Sequence, residues 1–279
     1  MGGSFSQRIG AIPATKVMQT EAMDNDLRNR LWSAMIILVW DHYPESYVLH
    51  IKKSNFYSLI AQLFMEHFKK PIDEIDEYWP TTLASMRKKF MNAEWHVAFS
   101  FLELVCAYHP CGDKRNLIAA CNEILEIENS AYRFVDGSLT DIHSKEEIEE
   151  IESAISNSDK FSGIKGHLQT SLGFLTDRKN PDYRNSVKES ISAVETLARH
   201  ITNDPKATLG SALNVMEKKH HLEPTIKAAF SKLYGYTNDA DGIRHSSMED
   251  ASTVSKADAR FMLICCSAFI NFTIDSMKD

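Results

Sequence analysis

The sequence predicts a mainly α fold: an amino-terminal helical domain ending in a short β-hairpin, then a bundle of four to five helices. Apolar residues recur at three- and four-residue spacing almost throughout, the pattern of helices with one buried face. One segment differs: "AYRFVDGSLTDI" alternates around Asp136-Gly137, the dipeptide of a tight two-residue hairpin. The chain has 279 residues, more than one core usually organises, so two domains are expected, 1–143 and 144–279. The boundary falls near the hairpin and the acidic helix that follows it.

Helix signals can be placed in order along the chain. Asp24 is positioned to cap a first helix whose inner face carries Leu27, Leu31, Ala34, Ile37 and Leu38. Ser54 is placed to cap "FYSLIAQLFMEHF" in the same way. Thr81 or Thr82 opens one long helical stretch that runs to Tyr108, where Pro110 and Gly112 end it. Asp113 starts the next helix. After the hairpin, Ser144 and Glu147 have the spacing of a capping box, so a helix begins near Lys145. Further helices are expected over 160–178, 184–201 and 208–219, then one from Pro224 to about Tyr234 and a last one from about Ser255 to Met277. Between these two lies a polar loop, "YGYTNDADGIRHSS", rich in the turn formers Asn238, Asp239, Asp241 and Gly242.

Composition limits the function classes. Hydrophobic residues make up 43% and charged residues 25%, ordinary for a globular protein. A net charge of −7 excludes a broadly basic surface, so any nucleic-acid contact must be local. The five cysteines form no C-x-x-C pair, which fits a reducing cytoplasm. The longest apolar run, from Phe261, covers about 14 residues, shorter than a membrane span, and no membrane association is expected. The Walker lysine loop, G-x-G-x-x-G, H-E-x-x-H and G-x-S-x-G are absent. Cys106, His109 and Cys111, with Cys121 and His96 nearby, have irregular spacing for zinc, so neither metal nor cofactor is expected.

Two groups of residues carry candidate chemistry. Arg244-His245 closes the polar loop. A histidine can pass protons in both directions near neutral pH, and an arginine fork can hold a phosphate oxygen as charge builds on it. Such a pair could serve a metal-independent phosphodiester cleavage, or it could be two solvated side chains. In "YRNSVKESISAVETLARHI", Val187, Ile191, Val194, Ala198 and Ile201 form the core stripe, while Lys188, Glu195 and Arg199 point elsewhere. Arg184, Lys188 and Glu195 are then either a solvated face, with Glu195 and Arg199 paired along the helix, or the polar wall of a cleft.

Four blocks, "FSQRIGAIP", "ENSAYRFVDG", "DYRNSVKESISAVETL" and "YGYTNDADGIRHS…DARFMLICCSAFINF", together resemble bacterial abortive-infection proteins with an AbiJ-type amino-terminal domain and a HEPN-like carboxy-terminal domain. The resemblance implies anti-phage defence, with a sensing or regulatory module followed by a HEPN effector. It implies RNA as substrate, a metal-independent endoribonuclease activity, a homodimer, and a phage component or partner defence protein as trigger. On that footing Arg244 and His245 are the catalytic candidates, and Arg184, Lys188, Glu195 and Asp241 orient RNA or support them. One feature departs from the family. HEPN nucleases carry arginine and histidine with four to six residues between them, and no such spacing occurs in this chain; the contiguous Arg244-His245 stands instead. The alternative is a HEPN-like module retained for dimerisation or binding, without catalysis.

Overall fold

In a computed structural model, residues 5–9, 16–110, 114–142, 144–161, 163–177, 180–219, 222–239 and 254–277 are described. The chain forms two compact units, Met1–His143 and Ser144–Asp279.

The first unit begins with a short turn of helix, α1 (Phe5–Arg8), and then α2 (Asn25–Leu38). Asp24 caps α2 by accepting from the Leu27 amide. The buried face of α2 is formed by Leu27, Arg28, Leu31, Trp32, Ala34 and Met35, whereas Ile37 is 64% exposed and Leu38 only partly buried. The stripe thus lies nearer the 28–32–35 line than the sequence suggests, because Arg28 enters the core to donate to the Phe90 carbonyl.

Three 3-10 turns lead to α3 (Tyr57–Gln62). Ser54 does not cap this helix; its hydroxyl donates to the Ile51 carbonyl and closes the turn before it. Beyond Gln62 the backbone widens into a π-helical turn, Leu63–His67. The long helix expected through residue 108 is two helices, α4 (Trp79–Asn92) and α5 (Trp95–Ala107). Neither Thr81 nor Thr82 opens α4, which starts at Trp79 with Pro80 in its first turn, where a missing N–H costs nothing. Extended backbone at Ala93 and Glu94 separates the two helices, a break that no glycine or proline announces. α6 (Lys114–Ile127) follows; Asp113, its expected start, lies outside the described residues.

The core of this unit is aromatic. Tyr43 stacks on Trp79 at 4.1 Å, and Trp40 and Phe56 pack around them at tilted angles. Each such ring, buried, contributes about 1.5–3 kcal/mol. The hairpin pairs β1 (Arg133–Val135) with β2 (Ser138–Thr140) in antiparallel register. Asp136 at φ 48° and Gly137 at φ 84° both adopt the left-handed conformation that a two-residue turn of this kind demands. Side chains occupy the backbone groups that the ladder leaves over. Asn122 on α6 accepts from the Phe134 amide and donates to its carbonyl, and Glu103 on α5 accepts from the Leu139 amide.

The second unit is a helical bundle: α7 (Lys145–Asn157), α8 (Ile164–Thr176), α9 (Tyr183–Thr202), α10 (Leu209–Lys219), α11 (Pro224–Asp239) and α12 (Lys256–Ser276). α9 is the central helix, packed against α8, α10 and α12. Ser144 caps α7 through the Glu147 amide, but Glu147 does not complete a capping box; it pairs with Arg260 of α12. Ser255 and Asp258 do form one, at the start of α12.

Two further corrections concern α11 and α12. α11 runs to Asp239, so "YGYTND" is helical and not part of a loop. α12, at 21 residues, is the one helix among those described that is long and apolar enough to cross a membrane by length and composition, and 56% of its most apolar window is buried inside the protein. Its one amide explains itself: Asn271 donates to the Glu150 carbonyl and accepts from Asn157, stitching α12 to α7.

Candidate functional site

α9 starts at Asp182, whose carboxylate accepts from the Asn185 amide. On the first turns of α9, Arg184 is half-buried and Lys188 exposed. At 100° per residue, positions 184, 188, 191 and 195 fall on one strip of the helix. The structure therefore aligns Arg184, Lys188 and Glu195 along a single edge, but it does not leave Glu195 in solvent.

The Glu195 side chain is only 14% exposed. Tyr234 of α11 donates its hydroxyl to Glu195 Oε1 at 2.6 Å, and Arg199 stands 3.8 Å from Oε2. The expected surface pair with Arg199 is a long one, and the short contact is the one to tyrosine. This arrangement fixes the carboxylate as an acceptor between two helices. Lys188 has no ionic partner among the described residues. Asp241, Arg244 and His245 lie outside the described residues.

Beside Glu195 is an apolar cleft between α9, α11 and α12. Ile191 and Val194, Phe230 and Leu233, and Cys265 and Phe269 supply its walls. Phe230 and Phe269 meet at 4.2 Å. Burial pushes the Cys265 thiol up from its ordinary range, so the one partly accessible sulfur of the cleft is protonated at neutral pH and is not a nucleophile.

Sequence spacing could not have shown the pair formed by His167 on α8 and Glu189 on α9, joined Nδ1 to Oε2 at 2.6 Å. The two lie 22 positions apart and meet only because α8 and α9 pack closely. Tyr234, too, carries no motif that marks it.

Of the described residues that sequence spacing offered for metal, only two cysteines meet. Cys106 and Cys121 are both buried and face one another, but His109 bonds to the Leu38 carbonyl instead, and Cys111 lies outside the described residues. Burial, together with the neighbouring His42, holds His109 below the usual imidazole range against the pull of its backbone bonds. A second acidic group, Asp24, Asp26 and Glu128, is already filled: Lys16 bridges all three and Arg30 holds Glu128 at 2.6 Å. Two resident cations leave no place for a metal ion.

A family model described as AbiJ N-terminal domain 4 matches residues 3–157, more than half of the chain. The chain belongs to this family. It thus carries an AbiJ-type abortive-infection domain at its amino-terminal end. The AbiJ match covers the whole helical unit with its hairpin and continues through α7, the first helix of the second unit. α8 to α12 lie beyond it. No curated protein and no solved structure matches the chain.

Proposed function

We propose that this AbiJ-type protein acts in anti-phage defence, its carboxy-terminal bundle serving as a HEPN-like, metal-independent endoribonuclease effector. The family membership of residues 3–157 is the observation that carries the defence reading. In this reading His245 moves protons between the 2′-hydroxyl and the leaving 5′-oxygen, and Arg244 neutralises the phosphorane. Arg184 and Lys188 guide the RNA backbone along the edge of α9, while Glu195 and Asp241 support the geometry. The effector works as a cytoplasmic homodimer whose amino-terminal domain responds to a phage component or a partner defence protein.

The test is incubation of purified protein with total RNA and tRNA in EDTA. Cleavage that disappears in His245→Ala and Arg244→Ala is the expected result; cleavage equally strong in His245→Ala removes His245 from the mechanism.

A second reading has its own support. On α12, Phe261 is 54% and Phe272 41% exposed, and they lie eleven residues apart, three turns along one face. Such a face suits a module that pairs without catalysis, and the acidic net charge and the missing spaced arginine-histidine motif favour it too. Overexpression separates the two: toxicity that depends on Arg244 and His245 marks a nuclease, whereas a bare binding module is tolerated.

A further inference from the structure

Glu189 of α9 occupies one ring nitrogen of His167 on α8 and leaves the other. Its Oε2 lies 2.6 Å from Nδ1, across the packing of the two helices. An ionised carboxylate only accepts, so Nδ1 carries the hydrogen and, in the neutral ring, Nε2 carries the lone pair. Nε2 has no hydrogen-bond partner among the described residues. The His167 side chain is 36% exposed and that of Glu189 24%, so the ring reaches solvent while its carboxylate is partly screened from it. An imidazole held this way is a nucleophile with a fixed tautomer and a fixed direction.

The helix surface beside the ring is kept low. At 100° per residue, positions 163, 166, 170 and 173 follow one strip along the side of α8 next to His167. Gly166 and Gly173 are exposed, and a Cβ added at either would meet nothing within 4 Å. Alanine would fit both places and favour the helix by about 0.5–1 kcal/mol each, so packing within the bundle does not account for the glycines. Thr170, between them, folds its hydroxyl back on the Gly166 carbonyl at 2.7 Å. The strip leaves room for a reactant to approach the ring. His167 is also the fourth residue of α8, and helical side chains lean toward the N-terminus of their helix. A group added to Nε2 is carried toward the positive end of α8, where Gly163 at the cap position brings no side chain to compete with an anion.

We propose that His167 is a phosphoryl-acceptor site, with Glu189 as its positioning residue and an acyl phosphate as the donor. The Nε2 lone pair attacks phosphorus, an N–P bond forms, and the bond from phosphorus to the acyl oxygen breaks. The electron pair of that bond leaves with the carboxylate. A carboxylate departs without being protonated, so the step asks no general acid of the protein. As Nε2 gives up its pair the ring becomes cationic, and the Glu189 carboxylate, already on the Nδ1 hydrogen, offsets that charge while it develops. The product is an Nε2-phosphohistidine whose negative charge faces the helix end that favours it. The site stands on α8 and α9 alone and does not depend on the nuclease reading.

The experiment incubates the full-length protein with acetyl phosphate and locates the phosphoryl group by peptide mass spectrometry in alkali, where phosphohistidine survives and acyl phosphates do not. One phosphoryl group on His167 is the expected result, with a 31P signal that disappears on acidification. In His167→Gln uptake should fall to background while the melting temperature stays within a few degrees of the parent. Glu189→Gln keeps the shape of the buttress and removes its charge. It should be phosphorylated about tenfold more slowly at an unchanged melting temperature, the loss of one charge-assisted bond. A parent that takes up no phosphoryl group, uptake undiminished in His167→Gln, or other histidines labelled as fast as His167 would each overturn the site. A Glu189→Gln variant as fast as the parent overturns the role of the carboxylate. RNA cleavage is read in none of these arms, so this proposal and the nuclease reading can fail separately.

Discussion

Tyr234 and Glu195, 39 positions apart in sequence, are joined by a 2.6 Å hydrogen bond that ties α11 to the central helix α9. No residue of α11 is recorded as buried among those described, so this contact, the Phe230–Phe269 packing and the Lys227–Glu217 ion pair are principal attachments of that helix. Tyr234→Phe keeps the ring and removes the donor. Its expected cost is about 1.5–3 kcal/mol, the worth of a hydrogen bond to a charged acceptor. Hydrogen exchange should quicken across α11 while α9 stays protected. A double-mutant cycle with Glu195→Gln should show the two losses to be strongly non-additive.

At the hairpin, Gly137 sits at φ 84°, and an added Cβ would meet nothing within 4 Å. Gly137→Ala therefore tests backbone strain alone. It is expected to lower stability by about 1 kcal/mol, read as a melting temperature a few degrees lower with an unchanged spectrum.

The features that were legible in the sequence are those whose cause is local. Asp136-Gly137 carries the turn in its own backbone preferences, and α12 starts beside Ser255, near where the sequence places it. The features missed depend on distant partners. Arg28 is buried because the Phe90 carbonyl awaits it, and Ser54 is used up by the turn before α3. α11 continues through Asn238 and Asp239 although both are turn formers, because their penalty in a helix is only a fraction of a kcal/mol each. The candidate site was legible only in part: the strip of Arg184, Lys188 and Glu195 follows from helical period, but the burial of Glu195 needs Tyr234.

Acid should act on the first unit through Asp24. Burial works against its charge, but the Leu27 amide and the Lys16 ammonium outweigh that and hold its carboxyl below the usual range. A depressed carboxyl stabilises the fold above its unfolded pKa of about 3.9, and that contribution is lost as pH falls through the folded value. Lys16 is shifted the other way: burial pulls it down, but bonds to Asp26, Glu128 and Asp24 more than offset this, so its contribution is lost only in strong alkali. Asp24→Asn keeps a good cap and removes the charge. At neutral pH it should cost at most about 1 kcal/mol, since both partners are partly solvated. Thermal melts should show the difference from the parent shrink as pH falls below the unfolded value of about 3.9 and disappear once it has passed the lower folded value.

The tightest seam of the second unit is polar. Ser171 of α8 and Ser186 and Ser190 of α9 are all fully buried. The Ser171 hydroxyl lies 2.8 Å from the Ser186 carbonyl and 2.7 Å from the Ser190 hydroxyl, which in turn donates to the same carbonyl at 3.0 Å. Small side chains let the two backbones approach, and the shared hydrogens keep that approach from stranding a polar group. Two substitutions separate these roles. Ser190→Ala keeps the volume and removes one donor, at an expected cost of about 1 kcal/mol. Ser190→Leu also forces the helices apart, and overpacking of this kind typically adds about 1–3 kcal/mol. The second change should also pull Glu189, one residue before Ser190, away from His167, so the His167 Nδ1–Glu189 hydrogen bond, followed by the ring 15N chemical shifts, should be lost in Ser190→Leu and kept in Ser190→Ala. Equal effects from the two variants would mean that the hydroxyl network, and not the close approach, sets the spacing of α8 and α9.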